Sequence, residues 1–85
     1  MQLIARHDIA DYDRWKAAFD AEAEALGAAG LSILQIWRED GAARAFVLYE
    51  VSDRARAQAA LDTLDALLTD RAGIAASDYH FVRTA

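Results

Sequence analysis

The stretch AFVLYEV, residues 45–51, decides the fold because it is apolar on both faces of a strand. Side chains alternate across a strand, which places Val47 and Tyr49 on one side and Phe46 and Leu48 on the other. A strand with this pattern is buried on both faces. Two layers must therefore cover the sheet to which this stretch belongs.

A second strand is predicted directly before it. The segment LSILQIW, residues 31–37, is rich in β-branched and aromatic residues, and so is RAFVLYEV, residues 44–51. The six residues that join them include Asp40 followed by Gly41, a pair that is typical of tight hairpin turns. The two segments are therefore predicted to form a β-hairpin.

A strand and a helix are predicted before the hairpin. QLIARH, residues 2–7, has the composition of a short strand. Asp11 is a suitable N-cap for a following helix, in which Trp15, Phe19 and Leu26 recur at helical spacing. Two glycines after Leu26 predict the end of that helix.

The second half of the chain repeats the order helix, then strand. Residues 52–73 begin with Ser52 or Asp53 as a cap and carry one stripe of Ala and Leu that ends near a glycine. YHFVR, residues 79–83, is predicted to be the last strand. The order β-α-β-β-α-β predicts a ferredoxin-like α+β fold, with a four-stranded antiparallel sheet and both helices on one face.

The other face of that sheet is left open and apolar, which predicts a homodimer. In this hypothesis two sheets pack face to face as a dimeric α+β barrel, with a space between them. Its alternative is that the apolar residues of the open face are exposed singly, which is common on protein surfaces. The hypothesis is preferred because the pattern extends over several strands.

Composition excludes several classes of function. The net charge is -5 and Lys16 is the only lysine, so nucleic acid is not an expected partner. Cysteine is absent, and no dense ligand motif predicts a metal site. There is no pattern of a signal peptide and no apolar run long enough for a membrane span. We expect one domain over residues 1–85, in the cytoplasm and without a membrane partner.

Residues 6–21, RHDIADYDRWKAAFDA, carry a resemblance to a known family. Their Asp-Tyr-x-x-Trp-Lys-x-x-Phe run, residues 11–19, resembles the first helix of small bacterial dimeric α+β barrel proteins, the superfamily that includes the antibiotic biosynthesis monooxygenases. At the level of pattern the resemblance covers nearly the whole chain. Many of those proteins have a Gly-x-Pro-like segment before the last strand, where this chain has AASD, residues 75–78.

The resemblance implies a small apolar or phenolic ligand and no cofactor. The superfamily includes cofactor-independent monooxygenases, polyketide cyclases, lactone isomerases, haem-degrading enzymes and proteins of no known activity, so the fold alone does not select one chemistry. The haem-degrading members rely on an Asn-His-Trp set, and this chain contains no Asn. An enzyme and a non-catalytic ligand-binding or interaction protein both remain open.

The topology predicts one cluster of candidate site residues. In a ferredoxin-like sheet the first strand lies between the third and the fourth, which brings His7 near residues 45–46 and 79–80. If His7 faces the barrel interior, it is the candidate general base for a phenol bound in the barrel cavity, because imidazole titrates near neutral pH; the alternative is a solvent-facing histidine. The candidate ligand-binding residues are Trp37, Tyr12, Phe46, His80 and Arg38. A cavity that ends at His7 would distinguish a binding site from a filled interior.

Overall fold

The structure is a computed structural model that describes residues 1–71 and 73–85 in full and Ala72 as the end of a helix. The elements, in chain order, are β1 (Gln2–Ile9), α1 (Tyr12–Ala21), α2 (Ala23–Ala28), β2 (Leu31–Arg38), β3 (Arg44–Val51), α3 (Arg54–Ala72) and β4 (Ile74–Val82).

The four strands form one antiparallel sheet in the order β2-β3-β1-β4. The predicted ferredoxin-like α+β fold is therefore confirmed, with β1 between β3 and β4. His7 lies opposite Ala45, and Trp37 lies opposite Phe46, as the predicted order requires.

One face of the sheet packs against the helices and forms the core. Trp15 and Phe19 of α1 are fully buried there, with their rings stacked at 4.9 Å between centroids. The strands contribute every second residue to this face, which will be called the helix side: Leu3, Ala5, His7 and Ile9 from β1, and Ala45, Val47, Tyr49 and Val51 from β3. Of the two apolar faces of residues 45–51, the one that carries Val47 and Tyr49 thus lies beneath the helices.

The first predicted helix is in fact two helices. The chain leaves regular helix at Glu22, whose amide donates to the carbonyl of Phe19 three residues earlier instead of four. Leu26 of α2, beyond this break, is also buried. Apolar periodicity alone did not indicate the break, because the stripe continues through it.

The last strand begins at Ile74, five residues earlier than residues 79–83 predicted. Gly73 ends α3 in the left-handed conformation, with φ of 64°, and the chain pairs with β1 immediately afterwards. The residue opposite His7 is consequently Ser77, while Tyr79 lies opposite Ala5. The sequence did not indicate the first part of this strand, because residues 75–78 have small or polar side chains and pair with β1 through backbone hydrogen bonds.

The face of the sheet away from the helices will be called the open face. Ile4 lies near its centre, opposite Leu48 on β3 and His80 on β4. Its exposed large apolar side chains are Ile4, Leu34, Trp37 and Val82. A chain of ion pairs crosses one end of this face, through Asp78, Arg6, Asp8, Arg44 and Glu39. The open face therefore has an apolar middle beside a charged border.

Among the described residues, no helix combines the length and the hydropathy that crossing a membrane requires.

Candidate functional site

His7 lies inside the protein, between the sheet and the helices. Alternation along β1 turns its side chain to the helix side, where none of its surface is exposed. The alternative of a solvent-facing histidine is therefore wrong, and the expected placement of His7 towards the space between two packed sheets is wrong as well, because alternation turns it to the opposite face. His7 is also the one charged or polar residue among the described side chains that is fully buried in the core.

The environment of His7 keeps its imidazole neutral. Burial lowers its pKa from 6.5 to about 4, and the negative charge of Asp8 opposes this only in part. Nδ1 lies 2.7 Å from the hydroxyl of Ser77. We infer that Nδ1–H donates to Ser77, because a buried acceptor without a partner is tolerated better than a buried donor. Nε2 then carries a free lone pair and can accept a proton.

Two aromatic rings flank the imidazole. The centroid of the Trp15 ring lies 5.7 Å from that of His7, and the Tyr79 ring meets His7 edge-on at 5.8 Å. Three buried polar atoms on this helix side have no hydrogen-bond partner among the described residues: His7 Nε2, Trp15 Nε1 and the hydroxyl oxygen of Tyr49. Because buried polar atoms are nearly always bonded, these three are the candidates in this interior for bonding a water or a ligand group.

An Asp–Tyr pair lies beside this interior. The hydroxyl of Tyr79 donates to a carboxylate oxygen of Asp65 on α3, and both side chains are half-buried. Burial raises the pKa of Asp65, while the bond from Tyr79 opposes that rise. Burial and the Asp65 charge raise the pKa of both Tyr49 and Tyr79, so both hydroxyls keep their protons.

The predicted ligand residues Tyr12 and Arg38 meet at the end of the sheet. The Arg38 guanidinium lies 5.0 Å from the centroid of the Tyr12 ring, within the range of a cation–π contact. Both residues line an open cleft of about 650 Å³ between the loop after β1 and the β2–β3 turn. The Tyr12 ring also lies 5.8 Å from Trp15, which places this cleft next to the buried aromatic cluster.

The predicted residues Trp37, Phe46 and His80 lie on the open face instead. Trp37 is opposite Phe46, and His80 is opposite Ile4, whose side chain is exposed. The single predicted cluster is therefore divided among the buried interior, the cleft and the open face. The division follows from alternation, since one residue of register moves a side chain to the other face.

The structure adds residues that the sequence did not indicate as site residues. Trp15 was assigned to the core alone, and Ser77 lay outside the predicted last strand. Tyr49 had a usable signal, because an inward tyrosine on β3 needs a partner for its hydroxyl. No feature of the sequence distinguished Asp65, since it resembles the exposed acids around it on α3.

His7 lines none of the three clefts that the structure describes. Besides the cleft at Tyr12, there is one of about 560 Å³ near Met1 and Arg83 and a groove of about 170 Å³ between α2 and α3. A ligand can therefore contact His7 only if a side chain moves.

The chain has the fold of the dimeric α+β barrel type, with a ferredoxin-like sheet and helices on one side. No protein-family model and no curated protein sequence matches it.

Several solved structures share the fold over nearly their full length. An uncharacterized NIPSNAP domain protein from Burkholderia xenovorans superposes with a TM-score of 0.66 at 12% identity, over 100% of this chain and 95% of that one. SnoaB, a cofactor-independent oxygenase from Streptomyces nogalater, gives 0.63 at 14% identity, over 99% and 93%. A dimeric ferredoxin-like protein from an uncultured marine organism gives 0.52 at 17% identity, over 98% and 91%. At these identities the similarity concerns the fold.

Proposed function

We propose that this chain forms a homodimer through its open face and binds a small phenolic molecule between sheet and helices, next to His7. In the enzyme form of the proposal the protein is a cofactor-independent oxygenase with His7 as general base. The observation that carries it is the fully buried neutral imidazole whose Nε2 has no partner among the described residues.

The apolar middle of the open face supports the homodimer. Trp37 is 46% exposed and Leu34 53% exposed on a sheet that the helices do not cover on this side. Large apolar side chains grouped in this way mark an interaction surface. A second copy supplies a matching surface, and structures of the same fold are described as dimeric. The face has charges at its ends as well, which would lie at the rim of such an interface.

The unpartnered polar atoms support a ligand with a hydroxyl group. A hydroxyl can donate to Nε2 of His7 and accept from the indole N–H of Trp15, whose rings lie 5.7 Å apart. The aromatic and aliphatic surroundings favour an apolar body for the same molecule. A phenol combines these two properties.

Proton transfer from a bound phenol to His7 is uphill, because burial lowers the pKa of the imidazole and raises the pKa of buried hydroxyls such as that of Tyr49. Contact between the phenolate and the imidazolium lowers this cost.

The chemistry that follows needs only dioxygen as oxidant. The phenolate gives one electron to O₂, the resulting superoxide joins the ring carbon as a peroxide, and the O–O bond breaks as that carbon loses its hydrogen. The products are a quinone and water, which together contain all the atoms of the phenol and of O₂. His7 returns its proton to the departing oxygen.

A non-catalytic interaction protein is the second candidate. It is favoured by the complete burial of His7 and by the fact that the three described clefts do not include it. In that case the interior is filled by the chain's own side chains, and the open face is the functional surface.

The deciding experiment measures oxygen consumption with a panel of phenols. We expect turnover in the wild type and a loss of at least about 100-fold in His7→Asn, which removes the base but keeps a group that can reach Ser77. Asp62→Ala, on the exposed face of α3, is the control and should leave the rate unchanged. Equal rates in His7→Asn and wild type would remove His7 from its role, and no turnover with any phenol would favour the second candidate.

A further inference from the structure

We propose that the side chain of Tyr79 occupies the ligand position as a lid, and that a phenol of one ring displaces it to reach His7. This inference rests on the proposed function, because it names the size of the ligand and its route to the same site. It is drawn from the place of Tyr79 in the sheet and from the hydrogen bond that its hydroxyl donates to Asp65.

Tyr79 is the side chain around His7 that can move at the lowest cost. Trp15, the other ring beside His7, is fully buried and stacked on Phe19, so its displacement would open the core. Tyr79 is only half-buried and belongs to β4, an edge strand of the sheet. Its edge-on contact with His7 means that its departure uncovers the imidazole.

The hydrogen bond between Tyr79 and Asp65 holds the Tyr79 ring over the site. Its hydroxyl donates to Asp65, and Asp65 is itself half-exposed on α3. Water can therefore replace the phenol group on the carboxylate when Tyr79 swings away. A lid held in this manner opens transiently and leaves no buried charge without a partner.

The space that Tyr79 would vacate has the size of its own ring. Tyr79 lies opposite Ala5, a small and fully buried residue on the same face of the sheet. Along β1 the neighbours of Ala5 on the same face are His7 and Leu3, and Leu3 lies opposite Tyr49. Displacement of Tyr79 thus opens a place one ring wide between two unpartnered polar atoms, His7 Nε2 and the Tyr49 hydroxyl.

This geometry selects a monocyclic phenol over a larger one. p-Cresol has the structure of a tyrosine side chain and can take the vacated position with its hydroxyl on His7 or on Tyr49. A naphthol has a second fused ring, for which the volume vacated by one tyrosine ring provides no room. We therefore expect p-cresol to bind at least about tenfold more tightly than 2-naphthol.

The test measures the association rate of p-cresol by stopped-flow fluorescence, with the tryptophan of the site, Trp15, as reporter. Tyr79→Phe keeps the ring and removes the hydrogen bond, and Asp65→Ala removes its acceptor. Each should bind p-cresol about tenfold faster or more, since a hydrogen bond to a charged group is lost. The double variant should be no faster than either single variant. Asp62→Ala, the matched acid one turn earlier on α3, should bind at the wild-type rate.

Two outcomes separate the lid from the proposed function. If p-cresol binds and perturbs the NMR signals of the His7 ring, but at one rate in all variants, the lid is overturned and the ligand site stands. If no variant binds p-cresol although circular dichroism shows each to be folded, both are overturned. Tighter binding of 2-naphthol than of p-cresol would also contradict the one-ring site.

Discussion

At the scale of single residues, His7 shows how position changes the chemistry of a side chain. The same imidazole at a strand end would titrate near pH 6.5, whereas beneath the helices its pKa is about 4. Its Nδ1 is bonded to Ser77 and its Nε2 is free, so the two nitrogens have separate roles. The buried state thereby fixes the protonation that a base requires.

The lowered pKa of His7 makes the stability of the protein depend on pH. The unfolded chain binds a proton at this residue near pH 6.5 and the folded protein only near pH 4, so acid favours unfolding between these values. From pH 7.5 to pH 5 the free energy of unfolding should fall by about 2 kcal/mol because of His7. Urea unfolding at the two pH values measures the fall.

His7→Asn provides the comparison, since asparagine does not titrate. Its loss of stability between pH 7.5 and pH 5 should be smaller than that of the wild type by the same amount. The raised pKa of Asp65 acts in the opposite direction in both proteins and cancels in this comparison. Parallel pH curves for the two proteins would show that residue 7 is not a buried neutral histidine.

At the scale of elements, the ends of the helices follow from local chemistry. Asp11 accepts from the amide of Arg14, and Asp53 accepts from the amide of Arg56, each at 2.9 Å. These two carboxylates satisfy helix amides that would otherwise be free. Both caps were predictable because they involve residues three apart in the sequence, with Asp53 one of two choices for α3.

Two glycines three residues apart should respond in opposite ways to alanine. Gly27 lies within α2 with open space around it, so Gly27→Ala should stabilise the protein by about 0.5–1 kcal/mol. Gly30 has φ of 83° and lies against the Ser52 side chain, so Gly30→Ala should destabilise it by at least about 1 kcal/mol. Thermal unfolding of the two variants measures both effects. A stabilising Gly30→Ala would contradict the left-handed turn before β2.

The N-cap of α3 gives a second test at this scale. Asp53→Ala should lower the free energy of unfolding by about 1 kcal/mol, because the amide of Arg56 loses its acceptor. Asp62→Ala, an exposed acid in the middle of the same helix, is the control and should change the stability by less than about 0.5 kcal/mol. Equal effects of the two changes in urea unfolding would argue against the cap.

At the scale of the whole molecule, the sheet has one face covered by its own helices and one left open. The proposed dimer covers the open face, which includes Trp37 on the edge strand β2. Trp37→Glu would place a charge in that interface without disturbing the core, since this side chain is 46% exposed. We expect the wild type to sediment at twice 9.3 kDa and the variant at 9.3 kDa.

Ala59→Glu is the control for that change. It adds the same charge on the exposed side of α3, away from the open face, and should leave the dimer intact. Sedimentation equilibrium over a range of concentrations measures both variants. A wild-type protein that remains at 9.3 kDa at all working concentrations would exclude the dimer.

The sequence by itself determined the order of the four strands, the hairpin and the Asp11 cap, because these depend on periodicity and on residues close together in the chain. It also determined that residues 45–51 would be buried on one side beneath helices. Only the tertiary structure decided the site. The start of β4 at Ile74 set the register that places Ser77 and Tyr79 beside His7, and that register depends on backbone pairing between segments about 70 residues apart. The residues AASD, 75–78, lack the clear alternation of apolar and polar side chains that would have predicted this part of β4.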